Sequence, residues 1–251
     1  MLIGLLLPCL ALGQEIVVVR GDGNYSPYEM QEGNTLRGFH IELIETVANS
    51  LGIAVRFESY PWKRALTMVK QGKADAISFV GKNTDRSQYI FFTPGNELSF
   101  AYSGLVVLTS RALEFNFNGR QLSNLKHFKF GHNLGFIYGD YFDKAQLDKY
   151  HFNSNEQLFN MLRIKRIDIA MMNAGEFNHR LSVNDKTIKK LTMLDKKFAM
   201  ANYIGFSKVK KRKALALQFA KAMMAFKRSP ALGLLMKKYQ LEESQVVNFL
   251  Q

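Results

Sequence analysis

The stretch from residue 17 to 94 constrains this chain most. It reads VVVRGDGNYSPYEM, then GFHIELIETVANSLGIAVRFESYPWKRALTMVKQGKADAISF, and ends in TDRSQYIFFTP. A β-branched run from Glu15 to Val19 predicts a buried strand, which Gly21-Asp22-Gly23-Asn24 breaks. Ile41, Ile44, Val47, Ala48 and Leu51 recur at helical spacing, and Gly52 suits the C′ stop. Ile53, Val55 and Phe57 alternate as in a strand. Pro61 suits a helix start, Leu66 and Val69 give a buried face, Gly72 ends it, and Ala74 to Phe79 is a further strand. Strand–helix–strand–helix–strand implies parallel pairing with right-handed crossovers. Such a lobe presents loop residues to a small ligand at the ends of its strands. Nothing in it sets a nucleophile beside a base, which favours a binder over an enzyme.

The alternation then starts again. Tyr102 to Leu108 is a strand that leaves the first unit, and Phe128 to Gly131 is another. Gly139 opens a helix through Tyr141 and Phe142, Glu156 to Leu162 is helical, and Ile167 to Met172 and Tyr203 to Phe206 are strands. Leu215, Phe219, Ala222, Met223 and Phe226 make one stripe of a helix, and a last helix covers Ala231 to Tyr239. The connections near 103–110 and 200–206 are strand-like. They predict two α/β lobes joined by paired hinge strands, with the site in the cleft between them.

At 251 residues the chain has room for one large or two small domains, at roughly 150 residues each. Past the N-terminus no apolar run approaches the ~20 residues of a membrane span. Met1 to Gly13 is uncharged and almost wholly apolar, and ends Ala11-Leu12-Gly13. It is expected to be a secretory signal cleaved near Gly13, incomplete at its basic end because no Lys or Arg precedes the run. A buried first strand or helix is the alternative. Cys9 is the only cysteine, so the mature protein would have no disulfide and no zinc-type cluster. Pro8 fits poorly before a lipid-bearing cysteine.

The net charge is +13, and fifteen Lys or Arg against Asp195 alone fall between Lys186 and Lys238. A solvated basic face explains this better than nucleic-acid binding, since KVKKRK lacks interleaved aromatics.

Several residues could carry chemistry. Pro27 stiffens a loop that offers Tyr25 and Tyr28, as a ligand surface or as a plain turn. Trp62, at the mouth of a strand-to-helix turn beside Lys63 and Arg64, can stack on a ligand or seal a helix start. Ser78, Gly81, Asn83 and Thr84 lead to Arg86, which suits a carboxylate or phosphate, or a salt bridge to Asp85 or Glu97. The helix start at Gly139 and Asp140 can offer backbone amides to an anion, or Asp140 can cap it. The five histidines show no metal spacing, and GxSxG, the P-loop and GxGxxG are missing, so no cofactor is expected.

With DGNYSPYE, GFHIELIETVANSLG, YPWKRAL, GKADAISF and the arginine after TD in this order, residues 15 to 240 resemble family 3 of the bacterial extracellular solute-binding proteins. FGHNLGFIYGDYF, KRIDIAMMN and YIGFSK are a looser echo. The resemblance implies a two-lobed type II periplasmic-binding-protein fold. Lobe 1 would be 14–107 plus 205–251, and lobe 2 108–204. It implies a monomeric periplasmic receptor that carries an amino acid or related carboxylate to a membrane ABC permease, with no nucleic acid. By the same resemblance Asp22 and Tyr25 touch the ligand's side chain and Trp62 stacks on it. Ser78, Gly81 and Arg86 hold the α-carboxylate, with amides at Gly139 and Asp140. Asn173 stands where the family has an acid for the α-ammonium group, and the loop Phe79-Val80-Gly81 is poorer in hydroxyls and one residue short. Arg64 beside Trp62 suggests a second anionic group on the ligand. Two other readings come with the scaffold: a cyclohexadienyl-dehydratase-like enzyme with Glu176 as its acid, and a sensory module signalling through a separate receptor.

Overall fold

A computed structural model describes residues 14–115, 117, 122–242 and 246. The apolar leader with Cys9 lies outside the described residues. The first strand, β1 (Glu15–Gly21), buries Ile16 and Val18 toward one helical layer and Val19 toward the other. Burial on both faces is why it reads as an unbroken β-branched run. A small hairpin, β2 (Met30–Glu32) and β3 (Thr35–Arg37), leads into α1 (Phe39–Ser50). At the junction Gly38 has φ 133°, and a Cβ there would stand 2.1 Å from the Tyr28 carbonyl oxygen, so only glycine fits.

β4 (Ala54–Tyr60), α2 (Trp62–Lys70) and β5 (Ala76–Gly81) complete the expected series, and β1 pairs in parallel with both β4 and β5. Ala65 and Val69 form the buried face of α2, with Leu66 only half-buried. A single 3-10 turn carries Arg86, followed by the short β6 (Ile90–Phe91) and the long β7 (Glu97–Leu108).

The second unit holds β8 (Lys129–Asn133), the one-turn α3 (Asp140–Asp143), β9 (Asp148–Phe152), α4 (Asn155–Arg163), β10 (Ile169–Asn173) and α5 (Ala174–Ser182). β11 (Leu191–Ser207) then returns, and α6 (Lys213–Lys227) and α7 (Pro230–Lys238) follow. β9 and α5 are elements that periodicity does not reveal. DKYHF is a half-exposed strand with little apolar signal, and AGEFNHRLS gives barely two turns of pattern.

The strands run in the order β4-β1-β5-β11-β7-β10-β8-β9, with β6 on β11. The antiparallel pair β7 and β11 joins two parallel half-sheets, from Tyr203 opposite Glu97 at one end to Leu191 opposite Leu108 at the other. The hinge strands are therefore longer than the segments legible in sequence. Their first-unit end packs Leu98, Ile204 and Phe206 with Phe39 and Leu43, and their far end packs Val106 and Leu108 with Leu158 and Phe159. Leu215, Phe219 and Leu232 of the last two helices join the core around α1, so that lobe is built from both ends of the chain.

Part of the basic surplus is tied into this lobe. Lys210 and Arg212 both hold Asp75 Oδ1, at 2.9 and 2.6 Å, and Lys238 reaches Glu42 at 2.6 Å. Among the described residues no helix is long and apolar enough to cross a membrane.

Candidate functional site

A cavity of about 40 Å³ lies between the lobes, against the hinge strands. Tyr25, Trp62, Gly81 and Arg86 line it from one side, and Phe136, Asn155, Asn173 and Glu176 from the other. Ser103, Met200 and Asn202 of β7 and β11 form its floor. The volume is enough for roughly three waters, at about 10–15 Å³ each. At this point the walls meet through their own side chains, while an adjoining groove lined by Asp22, Trp62, Asn133 and Phe136 holds about 750 Å³.

Arg86 is 5% exposed, and among the described residues no carboxylate pairs with it. Neither Asp85 nor Glu97 takes the role left open by the sequence. Its Nη1 donates to the Gly81 carbonyl at 2.9 Å and its Nη2 donates across the cleft to the Gly135 carbonyl. The guanidinium carbon stands 5.5 Å from the centroid of the Trp62 ring. The 3-10 turn fixes it there because the Arg86 amide donates to Asn83 Oδ1 at 2.8 Å. Burial lowers its pKa, and Tyr89, Asp143 and Asp85 offset only part of that effect. Two carbonyls ease that cost, and an anion would remove it.

Tyr25 and Trp62 flank a position already filled. The Phe136 ring lies 5.6 Å from Tyr25 and 5.7 Å from Trp62, and Trp62 Nε1 donates to the Gly135 carbonyl at 2.8 Å. The clamp expected to hold a ligand's flat or apolar part is closed on the chain's own aromatic. Beside it, a Cβ on Gly81 would meet Ile137 at 2.8 Å, so the glycine permits this close approach of the lobes.

The backbone amides expected for the carboxylate are otherwise engaged. Those of Tyr138 and Gly139 both donate to the Asp143 carboxylate, at 3.0 Å, and Gly139 lies outside the cavity lining. α3 is one turn long and begins at Asp140.

Asn173 lines the cavity, but its side chain caps α5, where its Oδ1 accepts from the Glu176 amide at 2.9 Å. Glu176 is 4% exposed and, among the described residues, is the only acid in the lining. Its Oε1 accepts from Asn155 Nδ2 at 2.7 Å and from Arg180 Nη2 at 3.1 Å. Burial pushes the carboxyl up to about 7 in spite of Arg180 and Asn155.

Besides Gly139, three more expected residues fall outside the cavity. Asp22 is exposed in an adjoining groove with Asn24 and Lys63. Arg64 is exposed with its guanidinium carbon 4.7 Å from the Tyr60 ring centroid, because two helical positions turn it away from Trp62. Ser78 is fully buried in β5, and among the described residues its hydroxyl has no hydrogen-bond partner. Sequence reasoning missed Asn133, Phe136, Asn155 and Asn202. Only Phe136 had a signal, its place in FIYG; the amides become neighbours through pairing, as when Asn202 registers with Gly81.

Beneath the first-lobe wall sits a buried polar network. Arg20 Nε donates to Glu29 Oε2 at 2.9 Å, and its two other nitrogens reach Ser59 Oγ at 2.9 Å and the Gly23 carbonyl at 2.6 Å. His40 faces Glu29 Oε1 at 3.6 Å and Ser99 Oγ at 2.8 Å, a structural histidine. Among the described residues no three His, Cys, Asp or Glu side chains are grouped to hold a metal.

The family model of bacterial extracellular solute-binding proteins, family 3, matches residues 17–242. Among curated proteins no sequence matches significantly. A histidine kinase sensor domain with similarity to periplasmic binding proteins superposes with a TM-score of 0.77 at 17% identity, over 93% of this chain and 98% of that one. An arginine transport system periplasmic binding protein from Legionella pneumophila gives 0.72 at 16% identity, over 90% and 99%. An ancestral arginine-binding protein bound to glutamine gives 0.72 at 21% identity, over 91% and 98%.

Proposed function

The chain belongs to the bacterial extracellular solute-binding proteins of family 3 and has their two-lobed type II fold; on that footing we propose that it captures a small carboxylate-bearing solute, an amino acid first of all. The observation that carries this reading is Arg86, a buried guanidinium that no acid salt-bridges among the described residues, on the wall of an interlobe cavity. Ligand docks on the lobe of Arg86 and Trp62, the strands β7 and β11 bend, and the opposite wall closes. Closure is driven only by contacts that the ligand makes in the closed state. We take the lobes as 14–107 plus 205–251 and 108–204, the hinge strands being shared between them. The protein is proposed to be periplasmic, exported by its apolar leader, monomeric, and the donor for an ABC permease. It is not proposed as an enzyme, because among the described residues of the lining Glu176 has no second carboxylate and no histidine beside it. The likeness to a kinase sensor domain supports a second reading, a ligand-sensing module that signals to a separate receptor.

A thermal-shift screen of the mature protein against amino acids and small carboxylates tests the proposal. A ligand that binds only the folded state adds about 2.7 kcal/mol at a hundredfold excess over its dissociation constant. The proposal is lost if uncharged solutes raise the melting temperature and carboxylates do not.

Phe136 sets the size of the ligand under this reading. Phe136→Ala empties the space between Tyr25 and Trp62. It is expected to shift preference toward bulkier amino acids by about tenfold or more, roughly 1.4 kcal/mol. Titration calorimetry of L-alanine against L-phenylalanine measures the ratio, and an unchanged ratio would remove Phe136 from the ligand's path.

A further inference from the structure

The two walls of the cavity carry opposite charges that their surroundings leave uncompensated. On one side Arg86 has no salt-bridge partner among the described residues, and Asp143 and Asp85 act on its charge only from a distance. On the other, a single cation serves three acids. Arg180 Nη1 holds Asp185 Oδ2 at 2.9 Å, and Nη2 is shared between Glu156 Oε1 at 3.0 Å and Glu176 Oε1 at 3.1 Å. With all four groups ionised that cluster is short of positive charge, and Glu176 is its only member in the cavity lining.

The hydrogen bonds of Glu176 are lopsided. Asn155 Nδ2 and two nitrogens of Arg180 all donate to Oε1, at 2.7, 3.2 and 3.1 Å. Among the described residues no donor reaches Oε2, and that atom is not sealed away from the cavity as the buried orphan atoms are. Asn173 has no such spare acceptor, because its Oδ1 is committed to capping α5.

Resting on the proposed carboxylate-binding role, we propose that Glu176, not Asn173, receives the ligand's ammonium group. The cleft is then a site for zwitterionic α-amino acids, carboxylate on Arg86 and ammonium on Glu176 Oε2. A 2-hydroxy acid of the same skeleton satisfies only the first wall. It leaves the acid cluster uncompensated, so the site discriminates against it.

The ionised carboxylate is the form that pairs, which fixes the sign of the pH dependence. Around Glu176 stand Arg180 and Asp185 near its own helix, Glu156 on α4, Arg86 across the cavity, and the phenols of Tyr25, Tyr28 and Tyr138. Burial raises the pKa of all three phenols, so they stay neutral through the neutral range. Burial pushes the Glu176 carboxyl up to about 7, so acidification protonates it and weakens amino-acid binding.

The test is calorimetry with the twenty standard L-amino acids and, for those that bind, the matching 2-hydroxy acids. On the parent protein the amino acid is expected to bind at least about tenfold more tightly than its 2-hydroxy acid. Between pH 8 and pH 5.5 its affinity is expected to fall roughly tenfold or more, and that of the 2-hydroxy acid to change much less. Glu176→Gln is expected to erase both the preference and the pH dependence. Asn173→Ser keeps a capping oxygen and is expected to hold the preference within about threefold. Equal binding of amino and hydroxy acids overturns the inference and leaves the carboxylate reading intact. So does loss of the preference in Asn173→Ser but not in Glu176→Gln. If neither kind of acid binds, the carboxylate reading fails and this inference falls with it. The pH series on the parent decides the matter even if Glu176→Gln does not fold.

Discussion

Replacing Arg86 with methionine is expected to cost at least about a hundredfold in affinity for every carboxylate ligand, while the empty protein melts no lower than its parent. The two halves of this result have one cause. A guanidinium buried without a counter-ion costs several kcal/mol in the empty protein, and removing it recovers part of that cost. Its bonds to the Gly81 and Gly135 carbonyls are lost in exchange. The ligand loses a bidentate, charge-assisted contact, and breaking such a buried pair costs about 2–5 kcal/mol. Arg86→Lys keeps the charge but not the fork, and is expected to fall between the two. Calorimetry for affinity and a thermal melt without ligand check both halves. A methionine variant that binds like the parent would leave Arg86 a structural residue. One that melts far below it would mean that the two carbonyl contacts outweigh the burial.

Glu29 is expected to behave in the opposite way. Glu29→Ala should lower stability by about 3–5 kcal/mol, because it strands Arg20 with its charge in a dry interior. Arg20 and Glu29 are both fully buried. For a chain of this size about 1 kcal/mol moves the melting temperature by ~2–4 °C, so a fall of ten degrees or so is expected. The damage should reach the site, since Arg20 also ties down the Gly23 carbonyl beneath the Asp22–Tyr25 loop. The same network makes the fold acid-sensitive. Burial alone would raise the Glu29 carboxyl, but His40 and Arg20 together hold it below its ordinary value. Its contribution is therefore full above the ordinary carboxylate range and is lost as pH falls through the lowered value. Burial also lowers the His40 pKa, so stability is lost as the unfolded chain's histidine gains its proton, below about pH 6.5. Melting curves from pH 7 to pH 4 check the sign. A Glu29→Ala protein that melts within two degrees of its parent would refute the account.

The first lobe was legible because its signals are local. A β-branched run, a helical stripe and glycines at turns identify β1, α1, β4, α2 and β5 without reference to the rest of the chain. Of the expected site residues, Tyr25, Trp62, Gly81, Arg86 and Asn173 meet in one cavity. Those that do not meet there fail for reasons a linear pattern does not hold. Arg64 is two residues from Trp62, yet two residues on a helix is more than half a turn. The amides at Tyr138 and Gly139 are open in sequence and occupied in space, because α3 folds Asp143 back onto them. The charge cluster around Arg180 joins α4, α5 and the loop beyond it, and only the fold shows that one cation serves three acids. β11 was read only at its apolar end, because Asp195, Lys196 and Lys197 interrupt the pattern in the half that runs through the hinge.

The indole of Trp62, the only one in the chain, spans the cleft. Its nitrogen bonds to a carbonyl of the opposite lobe, its face meets Phe136, and the Arg86 charge stands over it. The first two contacts cross to the opposite lobe, and in the proposed opening water replaces them, while the Arg86 contact stays within one lobe. The protein therefore carries an intrinsic fluorophore whose colour and brightness register the angle between its lobes. No label is needed to follow the motion, and no second tryptophan blurs the signal.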